Sequence, residues 1–307
     1  MPVLPDDSSL AEDMSGKGAE MDIAVLGMGR MGSALAGRLL DGGHQVTVWN
    51  RSRGKAGQVV SAGAQEAATV TDAVREADVV ITLLANDDAV RAVGLGELRG
   101  SISGQAIYVN ASTVSAALNS QLAEAFPGHF LALLVLGSPD SVRVGQAVYL
   151  AGGDASIADR LAPVMSSLSA SIHRYATPSL ATTAKLASNL LLLSQIAGLA
   201  ESFAVGRSGG LSDEQLRELL GSSPMVAPGI RNRFEAVLTG PQDGWWSTVL
   251  GAKDAGLAIS LAQTANVELP EAKAVKRLYD QAAASGLDQA DIAAVTDLYQ
   301  HSASAPS

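Results

Sequence analysis

DIAVLGMGRMGSALAGRLLDGGHQVTVWNRSRGK, residues 22–55, is the stretch from which the rest of the chain is read. Asp22 to Leu26 is a short β-branched and aliphatic run of the kind that forms a strand buried on both faces. Gly27, Gly29 and Gly32 follow in G-x-G-x-x-G spacing, with Met28, Arg30 and Met31 between them. The three glycines do different things. The first permits a tight turn, the second lets backbone approach a pyrophosphate, and the third lets helix and strand pack closely. Ser33 to Leu40 continues as a helix whose free N-terminal amides face the phosphates. Asp41 to Gly43 ends it, and Gln45 to Trp49 is a second strand. The glycine spacing alone is a weak signal. Set between a strand and a helix, with another strand after it, it points to a dinucleotide site and not to a chance glycine turn.

The end of the second strand indicates which dinucleotide. An NAD site places Asp or Glu there to accept from the ribose hydroxyls, and that carboxylate repels a 2′-phosphate. This chain has Asn50, Arg51, Ser52, Arg53 and Lys55 instead. Guanidinium groups bind phosphate through paired donors and Ser52 adds a hydroxyl, so NADP(H) is the expected cofactor. The alternative is a solvated basic loop.

Composition narrows the class. The 307 residues suffice for two domains, and 47% of them are hydrophobic. Twenty-one Lys and Arg against 31 Asp and Glu leave a net charge of −10, which disfavours nucleic acid or an anionic membrane as the main partner. An anionic cofactor must therefore be drawn by a local basic patch. There is no cysteine, hence no disulfide and no thiolate chemistry. His44, His129, His173 and His301 are scattered without metal-ligand spacing, and no metal is expected. No run reads as a membrane span or secretion signal, so a cytoplasmic location is the default.

In chain order, residues 1–20 read as a disordered acidic tail. Residues 21–178 alternate strand and helix as a doubly wound sheet does. Strands are expected at Val79–Leu84, Ala106–Val109, Phe130–Leu136, Gln146–Ala151 and Ile172–Tyr175, with helices at Val59–Gly63, Thr71–Glu76 and Ala155–Leu168. Ala85 and Asn86 fall at the sheet's C-terminal edge, where ligands bind in open α/β folds. Asn110 to Thr113 follows the next strand; a hydroxyl of Ser112 or Thr113 there contacts nicotinamide or ribose, caps the next helix, or does both. From 179 to 300 helical spacing takes over. Ala181–Arg207 is one pattern, apolar almost all round, and about 40 Å long if unbroken. Burying such a helix calls for two domains and a partner subunit, which predicts a homodimer through the helical half. Further helices are expected at Ser212–Leu220 (Ser212 and Gln215 forming a capping box), Gly229–Leu238, Thr248–Asn266, Leu269–Ser285 and Ala290–Tyr299. Residues 301–307 are a second tail.

Within this apolar half Lys185 stands out, with Asn189 one turn later on the same helical face. Apolar surroundings desolvate the ammonium, lower its pKa and let it exchange a proton near neutrality. A snorkelling surface lysine is the alternative.

The segments GMGRMGSALAGRLLDGGHQVTVWNR, ASTVS, KLASNLLLL and GAKDAGLA together resemble the β-hydroxyacid dehydrogenase superfamily, that is, 3-hydroxyisobutyrate dehydrogenases and relatives that include imine reductases. The likeness spans nearly all of residues 21–300, with four motifs in the family's order. It implies an α/β chain: an N-terminal Rossmann domain with a doubly wound sheet, a long interdomain helix, and an all-α C-terminal domain shared across a dimer. It implies further that Lys185 is the catalytic acid or base with Asn189 as companion. Lys253 then contacts cofactor or substrate, Asp254 anchors its helix, and Leu84, Ala85 and Thr113 lie on the nicotinamide side.

The chain departs from the family at one segment. Hydroxyacid dehydrogenases carry D-A-P-V-S-G-G for the substrate carboxylate, whereas residues 132–138 here are ALLVLGS. Leu136, Gly137 and Ser138 thus line a greasier pocket, resembling the corresponding imine reductase segment. Imine reductases in turn commonly have Asp or Tyr where Lys185 stands. Trp246 falls where the family often has Phe near the substrate, and its alternative is a core or interface anchor. The expected function is NADPH-dependent reduction of C=O in a small, rather apolar aldehyde, ketone or semialdehyde acid. Reduction of C=N, or a catalytically silent NADP-binding sensor, are the alternatives.

Overall fold

The computed structural model describes residues 20–169, 171–240 and 244–300. Of the expected tails, 1–19 and 301–307 lie outside the described residues. Glu20, assigned to the first tail, accepts a hydrogen bond from the Gln45 side chain.

Strand β1 (Asp22–Leu26), helix α1 (Arg30–Asp41) and strand β2 (Gln45–Trp49) open the fold. Helix α2 (Gly57–Ser61), edge strand β3 (Gln65–Glu66) and helix α3 (Val70–Val74) follow. Then come β4 (Val79–Thr82), α4 (Asp87–Val90), β5 (Ile107–Asn110), α5 (Ala116–Ala125) and β6 (Phe130–Leu136). Helix α6 (Pro139–Arg143), β7 (Val148–Gly152), α7 (Ala155–Arg160), α8 (Ala162–Leu168) and β8 (Ile172–Tyr175) complete the first half.

The eight strands form one sheet in the order β3-β2-β1-β4-β5-β6-β7-β8. Every neighbouring pair is parallel except β6 with β7. Strand alternation decides the two layers. Ile23 and Val25 face the core under α1, while Ala24 and Leu26 face the core under α3 and α5. Because β1 pairs with β2 on one side and β4 on the other, the chain reverses direction at β1. The carboxyl ends of β1 and β4 flank the crevice where such sheets hold ligands.

The second half is helical: α9 (Pro178–Ser208), α10 (Asp213–Gly221), α11 (Phe234–Thr239), α12 (Thr248–Thr264), α13 (Pro270–Ala282) and α14 (Asp297–Gln300). The expected capping box of Ser212 and Gln215 is formed. At 31 residues α9 spans about 46 Å. It starts three residues earlier than its apolar pattern because the Thr177 side chain accepts from Leu180 N–H and Pro178 sits in the first turn. Its first turns pack Ala181 against Leu134 and Leu150 of the sheet, and Leu193 to Phe203 belong to the helical core. By length and composition α9 also reaches what a bilayer crossing requires, contrary to the expectation that no run does. In this chain its Leu186, Leu193, Ile196 and Phe203 are buried against protein.

Other expectations needed correction. The helix expected at Ala155–Leu168 is two helices meeting at Leu161, because Pro163 cannot donate to the preceding turn. Gly229–Leu238 is a 3₁₀ turn at Pro228–Arg233 followed by α11, and Ala290–Tyr299 is a 3₁₀ turn at Ile292–Thr296 followed by α14.

Candidate functional site

The glycine turn shows three different reasons for glycine. Gly27 has φ +111°, and a Cβ there would lie 2.2 Å from the Leu83 carbonyl oxygen. A Cβ on Gly32 would lie 1.8 Å from the Gly27 carbonyl oxygen, so α1 sits on the turn only without one. At Gly29 a Cβ would meet nothing within 4 Å: the space above it is open. Gly29 is also the N-cap of α1 and supplies no side-chain cap, leaving first-turn amides to an anion.

The adjoining loop is tied to this turn. Met28, whose side chain is buried, donates its N–H to Asn50 Oδ1 at 2.9 Å, and Asn50 Nδ2 donates to the Ser52 carbonyl at 2.8 Å. Asn50 thus ties the loop down with an uncharged side chain, and no carboxylate stands at the strand end. Arg51, Ser52, Arg53 and Lys55 are exposed around it, and Arg30 is exposed at the start of α1. Open backbone over Gly29, uncapped amides and a rim of cations fit a phosphate-bearing dinucleotide.

Further along the sheet edge, Leu84 N–H donates to Ser112 Oγ at 2.9 Å, and Ser112 Oγ donates to the Thr82 carbonyl at 3.2 Å. The ends of β4 and β5 are thereby fastened together, with Thr113 half-buried and Ala85 exposed beside them. Neither Ser112 nor Thr113 caps α5. Ser115 does, accepting from Leu118 N–H, while its own N–H and hydroxyl donate to Asp87.

The sheet and the helical half meet at Lys185. Its Nζ donates to the Val135 carbonyl at 2.5 Å, next to Leu136, Gly137 and Ser138. Ser138 accepts from Ser141 N–H and caps α6, and Leu136 packs with Tyr175 and Ala184 in the apolar cluster at the root of α9. One turn after Lys185, Asn189 donates to Asp254 Oδ2 at 2.7 Å. Lys253 lies 3.0 Å from Asp254 Oδ1 and donates to the Thr113 carbonyl at 2.6 Å. Lys185, Asn189, Lys253, Asp254 and Thr113, from α9, α12 and the β5–α5 loop, thus form one group. Burial lowers the Lys185 ammonium to about 8; the Asp254 carboxylate opposes this and the Lys253 ammonium reinforces it.

Trp246 is not in that group. It is buried in the helical core and stacks on Trp245, over which the Arg233 guanidinium lies at 4.0 Å. That position fits the packing alternative for this tryptophan. Asp254 entered from the sequence only as a helix anchor. Its pairing with Asn189 depends on how α9 crosses α12, which no local pattern encodes.

Residues 22–177 match the family described as the NAD binding domain of 6-phosphogluconate dehydrogenase. Residues 180–299 match the family described as NAD-binding of NADP-dependent 3-hydroxyisobutyrate dehydrogenase. The chain is 32% identical over 283 residues to the uncharacterized oxidoreductase YfjR of Bacillus subtilis (strain 168), covering 90% of this chain and 98% of that protein. A 3-hydroxyisobutyrate dehydrogenase from Salmonella typhimurium has the same fold, with TM-score 0.83 at 22% identity over 91% of this chain and 100% of that one. An imine reductase from Pseudomonas sp. shares it more distantly, with TM-score 0.60 at 22% identity over 91% and 99% of the two chains. The two family matches abut at the root of α9, where sheet and helical half meet on Lys185. The chain belongs to the β-hydroxyacid dehydrogenase superfamily, as an NAD(P)-dependent oxidoreductase.

Proposed function

We propose that this chain is an NADPH-dependent reductase of small, rather apolar aldehydes, ketones or semialdehyde acids, in which Lys185 protonates the carbonyl oxygen. The observation carrying this is the Lys185 amine, held at the end of β6 beside Lys253 and lowered to about 8 by burial. A group titrating there holds a proton at neutral pH and releases it readily, as a general acid must. The bound nicotinamide supplies the hydride. The chain supplies the proton at Lys185 Nζ, the orientation of Asn189 through Asp254, and the apolar wall at Leu136.

A cationic Lys185 disfavours a protonated iminium by like-charge repulsion, which favours C=O over C=N, while Lys253 is paired with Asp254. Leu180, Leu191 and Val205, 50%, 61% and 74% exposed on α9, support a homodimer that covers them. The cytoplasm, the location expected from the sequence, is part of the same proposal.

The test is NADPH oxidation followed by loss of its near-ultraviolet absorbance with succinic semialdehyde, butyraldehyde, cyclohexanone and a cyclic imine. Turnover of the carbonyl compounds is the expected result. Consumption with the imine alone selects the imine reductase alternative, and tight NADPH binding without consumption selects a silent sensor.

Cofactor choice has its own variant. Arg51 is exposed, with no hydrogen-bond or ion-pair partner among the described residues. A charge-assisted bond to a 2′-phosphate is worth about 1.5–3 kcal/mol. Arg51→Ala should therefore weaken NADPH by roughly ten- to a hundred-fold in a fluorescence titration and leave NADH nearly unchanged. Equal losses for both cofactors would contradict the assignment.

A further inference from the structure

Five side chains with no exposed surface, Thr82, Tyr108, Asn110, Asn119 and Thr182, form a hydrogen-bonded line from the middle of the sheet to the start of α9. Its donors and acceptors have one consistent assignment. Thr182 Oγ1 donates to the Pro178 carbonyl at 2.9 Å and so accepts from Asn119 Nδ2 at 2.8 Å. Asn119 Oδ1 accepts from Asn110 Nδ2 at 2.8 Å. Asn110 Oδ1 accepts from Thr82 Oγ1 at 2.9 Å and from Ser112 N–H at 3.1 Å. That leaves Tyr108 to donate its hydroxyl to Thr82 Oγ1 at 3.1 Å. Burial pushes the Tyr108 phenol up, so it stays a donor.

We propose that Asn119 and Thr182 are positioning residues: they lock the root of α9, and with it Lys185, to the strand ends that carry Leu84 and Thr113. At one end the line holds Ser112, which fastens Leu84 to the end of β5. At the other it holds Thr182, three residues and so about one turn before Lys185. An apolar set of the same volume would fill this space at no loss of stability. What apolar contacts do not do is fix one register, since packed surfaces slide where directional bonds do not. Hydride transfer tolerates little such sliding: a displacement of 1 Å can cost about a hundred-fold in rate. The catalytic half of this inference rests on the proposed role of Lys185; the geometric half does not.

The experiment reads the position of Lys185 without requiring turnover. Trace acetylation with acetic anhydride across a pH series, followed by peptide mass spectrometry, gives a titration midpoint for the Lys185 amine. It is done on the full chain with and without NADPH. In wild type the midpoint should lie near 8. Thr182→Val removes the hydroxyl at nearly constant shape, frees the root of α9, and admits water to the amine. Its midpoint should rise by about half a unit or more toward the ordinary lysine value, and Thr182→Ser should restore it.

With the substrate that turns over fastest in the carbonyl panel, Thr182→Val should lower kcat by roughly ten- to a hundred-fold with NADPH affinity retained. The double variant Asn119→Leu, Thr182→Val leaves no orphaned donor between the two, and Asn110 Nδ2 keeps the Ser112 carbonyl at 3.5 Å; it must show the same shift and serves if the single variant does not fold. A Lys185 midpoint equal to wild type in these variants, whatever their melting temperature, overturns the inference. Full turnover by Lys185→Ala would instead overturn the catalytic reading, with the labelling result standing on its own.

Discussion

Lys185→Ala is expected to lower kcat for carbonyl reduction by about a hundred-fold or more while leaving NADPH binding intact. General-acid catalysis by a positioned side chain contributes roughly 10²–10⁴-fold, and here nothing else stands ready to replace it. Lys253 is committed to the Thr113 carbonyl and to Asp254, and Asn189 donates to Asp254 as well. Among the described residues Lys185 hydrogen-bonds to the Val135 carbonyl and not to the nucleotide end of the site, from Gly27 to Lys55, so affinity should survive. Truncation should not unfold the chain either, because the amine is a desolvated charge whose removal relieves a burial cost. The Val135 carbonyl is left to water or a neighbour.

The pH dependence has a definite sign. Lys185 is lowered below the ordinary 10.5 to about 8 by burial. The protonated acid is therefore present below about 8 and lost above it. The kcat/KM for reduction should be level below that pH and fall about ten-fold per unit above it. In the oxidative direction, where the amine must accept a proton, the dependence inverts and activity rises toward a plateau above about 8. A wild-type profile without that break, or an alanine variant as active as wild type, removes Lys185 from the chemistry.

Much of the fold was legible because the sheet is built from strands buried on both faces. Runs such as VVIT at Val79–Thr82 and FLALLVL at Phe130–Leu136 are continuous apolar signals bounded by polar turns. Strand β3, two exposed polar residues at the sheet edge, carries no such signal, and neither does the irregular stretch from Asp87 to Gly100, where α4 passes into π and 3₁₀ turns among glycines. The Lys185 and Asn189 pair was visible because the two share a helical face and are the polar exceptions there. Their partners were not. Asp254 joins Asn189 across 65 positions, Lys253 reaches Thr113 across 140, and the Val135 carbonyl is backbone without any residue signature. The buried polar line did leave a trace: Thr82, Tyr108 and Asn110 interrupt otherwise apolar strands, and a polar side chain in such a strand must find a partner. Which partner is a matter of topology, since Asn119 and Thr182 come from elements that meet only after β6, β7 and the crossover to α9 are in place.

Gly32→Ala and Gly29→Ala should fail in different ways, although the residues are three apart in one motif. A Cβ on Gly32 would lie 1.8 Å from the Gly27 carbonyl oxygen and 3.0 Å from its carbon, and these are backbone atoms that cannot rotate aside. Helix α1 must move away from β1 to admit it. Ala34, Leu35 and Leu39 on α1 are buried against the sheet and would be dragged with it. Overpacking of this kind costs about 1–3 kcal/mol or more, so the melting temperature should drop by several degrees, and the displaced first-turn amides should lose NADPH together with stability. At Gly29, by contrast, the added methyl meets no atom of the chain within 4 Å, and its φ of −77° suits alanine. Gly29→Ala should keep the wild-type melting temperature or gain slightly from the smaller entropy of its unfolded chain. It should still bind NADPH at least about ten-fold more weakly, because the methyl occupies the space through which backbone approaches a pyrophosphate. Thermal melts and fluorescence titrations of the two variants separate the cases. Unchanged NADPH affinity in a stable Gly29→Ala chain would mean that the dinucleotide does not lie over this turn.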